Sequence, residues 1–362
     1  MSDSTSAPLG MRTLSRLGLA IALAGALIQL VLAVYYLAMA HSPSPHDLPV
    51  GVVGNAEQQA QAQQLEEDGE FQVESYDDAA ALQQAIRERK AYGGVAFEGN
   101  TPTLYVASAA SPSVANLFKA EYTKVYQQQV QQQVQQLTAA KQPVPVATLA
   151  ALTTPPPVTD VVPLPKDDSA GSSLGFVIQA LCLGGSIASL ALGRLRGLTE
   201  RSALRGLGHA ALLVVYAIGS SAVALLAMAL FGVGDGADHF TLFWGLALIS
   251  LAVTASTAAF VALIGPAGSL IGGLYFTVGL IISGSSIAPE MLPKVGHAIG
   301  QLLPPGAGAT VARDAMYFPD AKTAGAFVVL GLYAVVGLAV VLLVNAAANR
   351  TRSAHALLRD EA

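Results

Sequence analysis

Two residue patterns in this chain have a type or spacing that could do chemistry, and the surroundings of each decide against it. Gly171, Ser172, Ser173, Leu174 and Gly175 have the GxSxG spacing of a hydrolase nucleophile elbow. That elbow places its serine on a sharp turn that leaves a strand and opens a helix. Here a Pro-rich tract precedes the serine and a long apolar run follows it, so the spacing predicts a helix start and not a nucleophile. No G-x-x-x-x-G-K-S/T loop occurs, and no Gly-Lys pair exists. The chain therefore has no P-loop with which to bind and hydrolyse ATP. The six histidines (His41, His46, His209, His239, His297 and His355) are scattered without metal-ligand spacing. We expect no metal, no cofactor and no catalytic constellation.

The elements that surround these residues are written in the segregation of charge. The chain has 362 residues, of which 53% are hydrophobic and 12% charged, where an ordinary soluble domain carries roughly a quarter charged. A spanning helix needs about 20 apolar residues to cross a hydrocarbon core about 30 Å thick. Six segments meet that length: Leu17 to Ala40, Leu174 to Leu192, Leu207 to Phe231, Phe240 to Ile264, Ser269 to Ile287 and Ala324 to Ala346. The first follows Arg12 and Arg16 as a signal peptide would, but its apolar run is too long for a typical h-region, and Val34 to Leu37 offers no small-residue cleavage site. The expected fold class is a polytopic α-helical membrane protein of about six spans with an inserted extracytoplasmic α/β domain.

Lys and Arg in short loops set orientation. They cluster at Arg12 and Arg16, at Arg194, Arg196, Arg201 and Arg205, and at Arg350, Arg352 and Arg359, while Asp235 and Asp238 lie in a loop on the opposite side. Residues 1–16 and 347–362 are thus expected in the cytoplasm, and residues 41–170 outside it. None of the six spans contains Asp, Glu, Lys or Arg, which argues against a proton relay of the kind ion-coupled carriers keep inside the membrane. Gln29, Gln179 and Asn345, with hydroxyls such as Ser186, Ser221, Thr254 and Ser256, are candidates either for interhelical hydrogen bonds or for a polar path. The formal net charge of −5 supplies no basic surface for nucleic acid.

Residues 41–170 read differently. Leu48 to Gly54, Phe71 to Tyr76, Tyr92 to Phe97 and Thr103 to Ala107 read as strands, the last two joined by a Gly99-Asn100 turn; Ala56 to Asp68 and Asp77 to Ala91 read as helices between them. A last helix from about Ser113 to Ala140 carries Phe118, Tyr122, Tyr126, Val130, Val134 and Leu137 as one apolar stripe, suited either to the domain's own sheet or to a second chain. The prolines from Pro143 to Pro165 then predict an extended connector without a fold of its own.

The sequence LPVGVVG at Leu48 to Gly54, the strand Tyr92-Gly93-Gly94-Val95-Ala96-Phe97 and the segment Ser283 to Phe318 (SGSSIAPEMLPKVGHAIGQLLPPGAGATVARDAMYF) together resemble the permease subunits of type-2 ABC transporters. Within that family the arrangement looks like the phage-infection-protein-like branch. The resemblance covers nearly the whole chain. It implies a five-helix transmembrane domain over residues 171–346 and an outer re-entrant segment at about 283–318, marked by Glu290, Pro293, Pro304, Pro305 and Arg313. It also implies a coupling loop to a partner ATPase, placed on Leu195, Arg196, Leu198, Glu200, Arg201, Leu204 and Arg205, although this loop lacks the acidic, Gly-Thr-containing pattern common there. The function expected from the resemblance is export of a lipid-like, drug-like or cell-envelope substrate, driven by a separate P-loop ATPase, in a homodimer or heterodimer among membrane lipids. The alternative is a non-transporting envelope receptor or assembly platform.

Overall fold

The computed structural model describes residues 11–97, 102–151, 156–194 and 202–360. Its first unit is a single helix, α1 (Met11–Ala40), whose stretch Gly18–Ala40 is apolar and long enough to cross a bilayer. The second unit begins at Ser44 and holds a sheet domain and a helical bundle.

The sheet domain is built from β1 (Leu48–Val53), α2 (Ala56–Gln63), β2 (Phe71–Ser75), α3 (Ala79–Arg87), β3 (Gly93–Ala96), β4 (Thr103–Val106), α4 (Pro112–Ala139), α5 (Val146–Ala151) and β5 (Val158–Asp160). Local chemistry starts each helix. Asn55 and Gln58 form a capping box on α2, and the Asp78 carboxylate accepts from Ala81 N at 2.7 Å to cap α3. The strand order is β2-β1-β3-β4-β5, parallel throughout except for the β3–β4 pair. The Gly99-Asn100 turn lies outside the described residues.

The connector reading needs correction. Residues 158–160 of the Pro-rich tract form β5, which pairs in parallel with β4 from Leu104↔Val158 to Val106↔Asp160. Prolines sit beside this strand and not within it, so the ladder loses no donor. Ser108 anchors the return, its backbone donating to Asp160 Oδ1 at 3.1 Å and its hydroxyl accepting from Leu164 N at 2.9 Å.

The bundle follows: α6 (Ser173–Gly193), α7 (Ala203–Leu230), α8 (His239–Ile264), α9 (Leu270–Leu274), α10 (Lys294–Gln301), α11 (Pro304–Tyr317) and α12 (Ala324–Asp360). Five helical runs among the described residues are long and apolar enough to cross a membrane: Gly18–Ala40, Ser173–Gly193, Ala203–Leu230, His239–Gly279 and Ala324–Ala347. At the head of α8, Trp244 stacks edge-on against Phe240 and Phe243, an arrangement suited to a membrane interface.

The segment expected as the fifth span, Ser269 to Ile287, is not a membrane-length helix. Gly265 adopts φ 73 and ψ −154, a region open essentially to glycine alone, and ends α8. The chain then folds back so tightly that a Cβ on Gly268 would overlap the Phe260 carbonyl, and the Tyr275 hydroxyl lies 3.1 Å from Ser256 Oγ. The returning strand of the hairpin is a 3-10 turn, α9 and a π-helical turn over Tyr275–Gly279, and beyond it the backbone is irregular. About ten helical residues rise roughly 15 Å, half of a hydrocarbon core. Residues 280–288 continue without regular helix, and their Ser283 and Ser285 are buried. Irregular backbone away from water is stable only where other protein groups satisfy it.

Candidate functional site

The most concentrated polar constellation in the described chain lies where residues 283–323 meet the sheet domain. It arises from the geometry of α10 and α11. The chain leaves the sheet domain at Glu290, whose carbonyl accepts from His46 N at 2.8 Å, and turns along α10. Gln301 at the end of α10 donates to Ser283 O at 3.1 Å and accepts from the Thr310 hydroxyl at 3.0 Å, so α10 and α11 form a hairpin against the irregular strand. Pro304 and Pro305 occupy the first turn of α11, where a missing N–H costs nothing. α11 then runs antiparallel to α8, with Gly308 against Ile249 and Val311 against Gly245, and ends at the sheet domain.

On that end sit Arg313 and Asp314. Asp314 pairs with Arg89 from the C-terminus of α3 and accepts from the Thr323 hydroxyl at 2.8 Å. Only 15% of the Arg89 side chain and 6% of that of Asp314 is exposed, so this is a buried ion pair and not a screened surface contact. The Arg89 guanidinium also lies 5.7 Å from the centre of the Phe318 ring. Burial works against the Arg89 charge, and the fields of Asp314, Tyr92 and Glu290 outweigh it, raising its pKa above the ordinary arginine value. Arg89 has φ 54, the left-handed position that usually ends a helix with glycine. A non-glycine residue there costs on the order of 1 kcal/mol or more, and the side chain at this strained position is the one that pairs with Asp314.

Around the pair, Tyr92 donates to Glu290 Oε2 at 2.6 Å, and burial together with the Glu290 charge pushes its pKa far above the usual tyrosine value, keeping it a neutral donor. Arg313 is buried and its guanidinium donates to the carbonyls of Gly284 and Ser285, both at 2.9 Å, satisfying the irregular backbone there. At the rim, Lys294 lies 2.8 Å from Asp47 and holds its carboxyl below the ordinary range, so this exposed bridge is lost as pH falls through that lowered value. The apolar core is shared as well: Ala288, Met291 and Phe318 pack with Leu48, Leu82, Ile86 and Val114 of the sheet domain.

Glu290 and Arg313 are thus brought into one junction, with Pro304 and Pro305 buried behind it and Pro293 partly buried at the turn into α10. The pairing of Arg89 with Asp314 and of Tyr92 with Glu290, and the part of Thr323, were not legible, because nothing local couples α3 and the strand after it to a segment about two hundred positions away. The other candidates lie elsewhere. Asn345 is buried and donates back to Val341 O at 2.7 Å, with its Cβ 2.9 Å from where a Cβ on Gly206 would stand. Gln179 is partly buried on α6, and Gln29 is exposed on α1. Among the hydroxyls, Ser189 and Ser221 bond across helices to Thr254 O and Phe243 O, whereas Ser186, Thr254 and Ser256 bond within their own helix. Leu204 is exposed and Arg205 partly buried at the start of α7; Leu195, Arg196, Leu198, Glu200 and Arg201 lie outside the described residues.

The GxSxG residues open α6. The Asp168 carboxylate accepts from Ser172 N at 3.0 Å and from Ser173 N at 3.3 Å, as a cap does at a helix start. Among the described residues no histidine is bonded to either serine. Ser173→Ala should leave transport and melting temperature at wild-type values; loss of activity in a folded variant, measured by near-UV circular dichroism, would revive the nucleophile.

Apolar helical runs, an inserted α/β domain and a hairpin that couples the two define a multi-pass helical membrane protein. The chain matches the ABC-2 family transporter proteins over residues 18–343, and it belongs to that family. The match identifies the broad family and selects no branch within it. No curated protein and no solved structure matches the chain. The protein is therefore a membrane permease of the ABC transporter class.

Proposed function

We propose that the chain is the permease subunit of a type-2 ABC exporter, moving a lipid-like, drug-like or cell-envelope substrate with energy from a separate ATPase, and carrying no catalytic chemistry of its own. In this reading it sits in the cell membrane with both termini cytoplasmic, the sheet domain outside, and a second permease chain beside it. The observation that carries the proposal is the buried Arg89–Asp314 pair and shared core, which join the sheet domain to the hairpin wedged against α8. Movement of the bundle is then felt in the sheet domain, because packed interfaces switch between discrete arrangements and do not stretch. The three arginine clusters support the orientation, and the loop from Arg194 to Arg205 is the substantial inward connection through which an ATPase would act.

The test combines topology with coupling. With an impermeant thiol reagent on intact cells, a cysteine introduced at Gln63 is expected to label and one introduced at Ser353 to stay unlabelled; equal labelling of both would sink this topology. Purified with its ATPase and reconstituted, the wild type should stimulate ATP hydrolysis, and Glu200→Arg, which keeps the inward positive charge, should weaken that complex by like-charge repulsion, a penalty of up to several kcal/mol. A wild type that captures no ATPase would favour the receptor or assembly-platform role.

A further inference from the structure

The two faces of the sheet are finished differently. On the α3 face the side chains are packed dry, with Leu82 and Ile86 at 0% exposure against Val53 at 5%. The other face, beneath α2 and α4, encloses a cavity of about 660 Å³. Phe71, Val73 and Val95 line it while remaining only partly buried, and Leu65 and Val125 line it at 52% and 47% exposure. Large apolar side chains left open around one concavity mark a binding site more often than a packing fault. The volume falls in the range of about 300–1,000 Å³ usual for small-molecule sites.

Its polar groups select the ligand. Glu70 and Glu121 are lining carboxylates, glutamines and the hydroxyls of Tyr122 and Tyr126 supply the remaining polar side chains, and no Lys, Arg or His belongs to the described lining. Glu121 has only an exposed contact with Lys124 at 3.4 Å, which screening makes weak. Phe71, Phe118, Tyr122 and Tyr126 add aromatic rings in two tilted pairs, the Phe71–Phe118 centroids being 6.4 Å apart and those of Tyr122–Tyr126 also 6.4 Å. Carboxylates at the edge of an aromatic, apolar hollow attract a positive charge on a hydrophobic body, by Coulombic attraction and by cation–π contact.

The geometry points to a binding site for a cationic amphiphile in the sheet domain, its apolar body seated between the sheet and α4 and its protonated or quaternary nitrogen beside Glu70 and Glu121. This deepens the permease proposal by naming a substrate class, and rests on it only for the transport consequence.

The probe pair is rhodamine 6G, a cationic xanthene, and fluorescein, an anionic one, each titrated against the full chain in nanodiscs of phosphatidylcholine with protein-free nanodiscs as the blank. Saturable binding of rhodamine 6G is expected, with no saturable binding of fluorescein. Val125→Trp, which fills the cavity, should weaken rhodamine 6G by at least tenfold, and Glu70→Gln with Glu121→Gln by about fivefold in total, less at high salt. Leu65→Trp fills the cavity from another lining position and gives the same test should Val125→Trp fold poorly. Equal affinity for both dyes, or unchanged rhodamine 6G affinity in a folded cavity-filling variant, would overturn the site. Binding is measured without an ATPase, so its failure leaves the permease reading standing, while binding in a protein that captures no ATPase would sink the permease reading and keep the site.

Discussion

Asp314→Asn is expected to destabilise the second unit by about 3–5 kcal/mol, because it leaves the Arg89 guanidinium desolvated beside a neutral amide. The asparagine has the shape of the carboxylate and still offers Thr323 an acceptor, so steric damage is not the cause. The cost should appear as a lower midpoint of unfolding in mixed micelles and as faster tryptic cleavage between the sheet domain and the bundle. The double variant Arg89→Met with Asp314→Leu should recover much of the loss, since a buried pair replaced as a unit by apolar side chains is often neutral. Recovered stability without recovered transport would assign the pair to coupling as distinct from folding. An Asp314→Asn protein within 1 kcal/mol of wild type would mean that the junction is solvated and carries no such constraint.

Gly337→Leu is expected to separate α12 from α8. A Cβ at Gly337 would stand 2.5 Å from the Ala255 carbonyl carbon and 2.7 Å from Ser256 N, both backbone atoms that no side-chain rotation can move aside. Overpacking of this kind costs about 1–3 kcal/mol, and more where backbone must shift. The same helix supplies a control: a Cβ on Gly331 would meet nothing within 4 Å, so Gly331→Leu should retain the wild-type elution profile and melting temperature. Equal behaviour of the two variants in fluorescence-detected size exclusion would show that α8 and α12 do not depend on that close approach.

Much of this architecture was legible because it depends on local pattern. Charge-free apolar runs specify α6, α7, α8 and the apolar part of α12, since a charge in hydrocarbon costs several kcal/mol wherever the helix later packs. Alternation in Phe71–Ser75 and the dense apolar run of Leu48–Val53 specify strands, because successive strand side chains point to opposite faces and a strand covered on both faces is apolar throughout. Gly265, Pro266 and Gly268 announce a break after α8. They do not say whether the chain kinks or reverses, and the reversal is decided by how closely Gly268 can approach Phe260.

What only the tertiary structure decided is long-range. β5 is three residues in a Pro-rich tract with no alternation to read, and it is a strand because β4 has an open edge beside it. The apolar stripe of α4 divides in space: Phe118 and Tyr122 pack on the sheet, while farther along the helix α4 meets α5. Arg89 follows the last turn of α3, where a basic charge complements the helix dipole, and local pattern reaches no further. Its partner Asp314 lies on another element, and an ion pair between them is favourable only once folding has excluded water from both. The amino-acid sequence by itself determined which segments avoid water and where the chain can bend. Which distant polar groups then share a dry junction, and which sheet face is left open as a cavity, followed from packing, because both depend on distances that no local pattern contains.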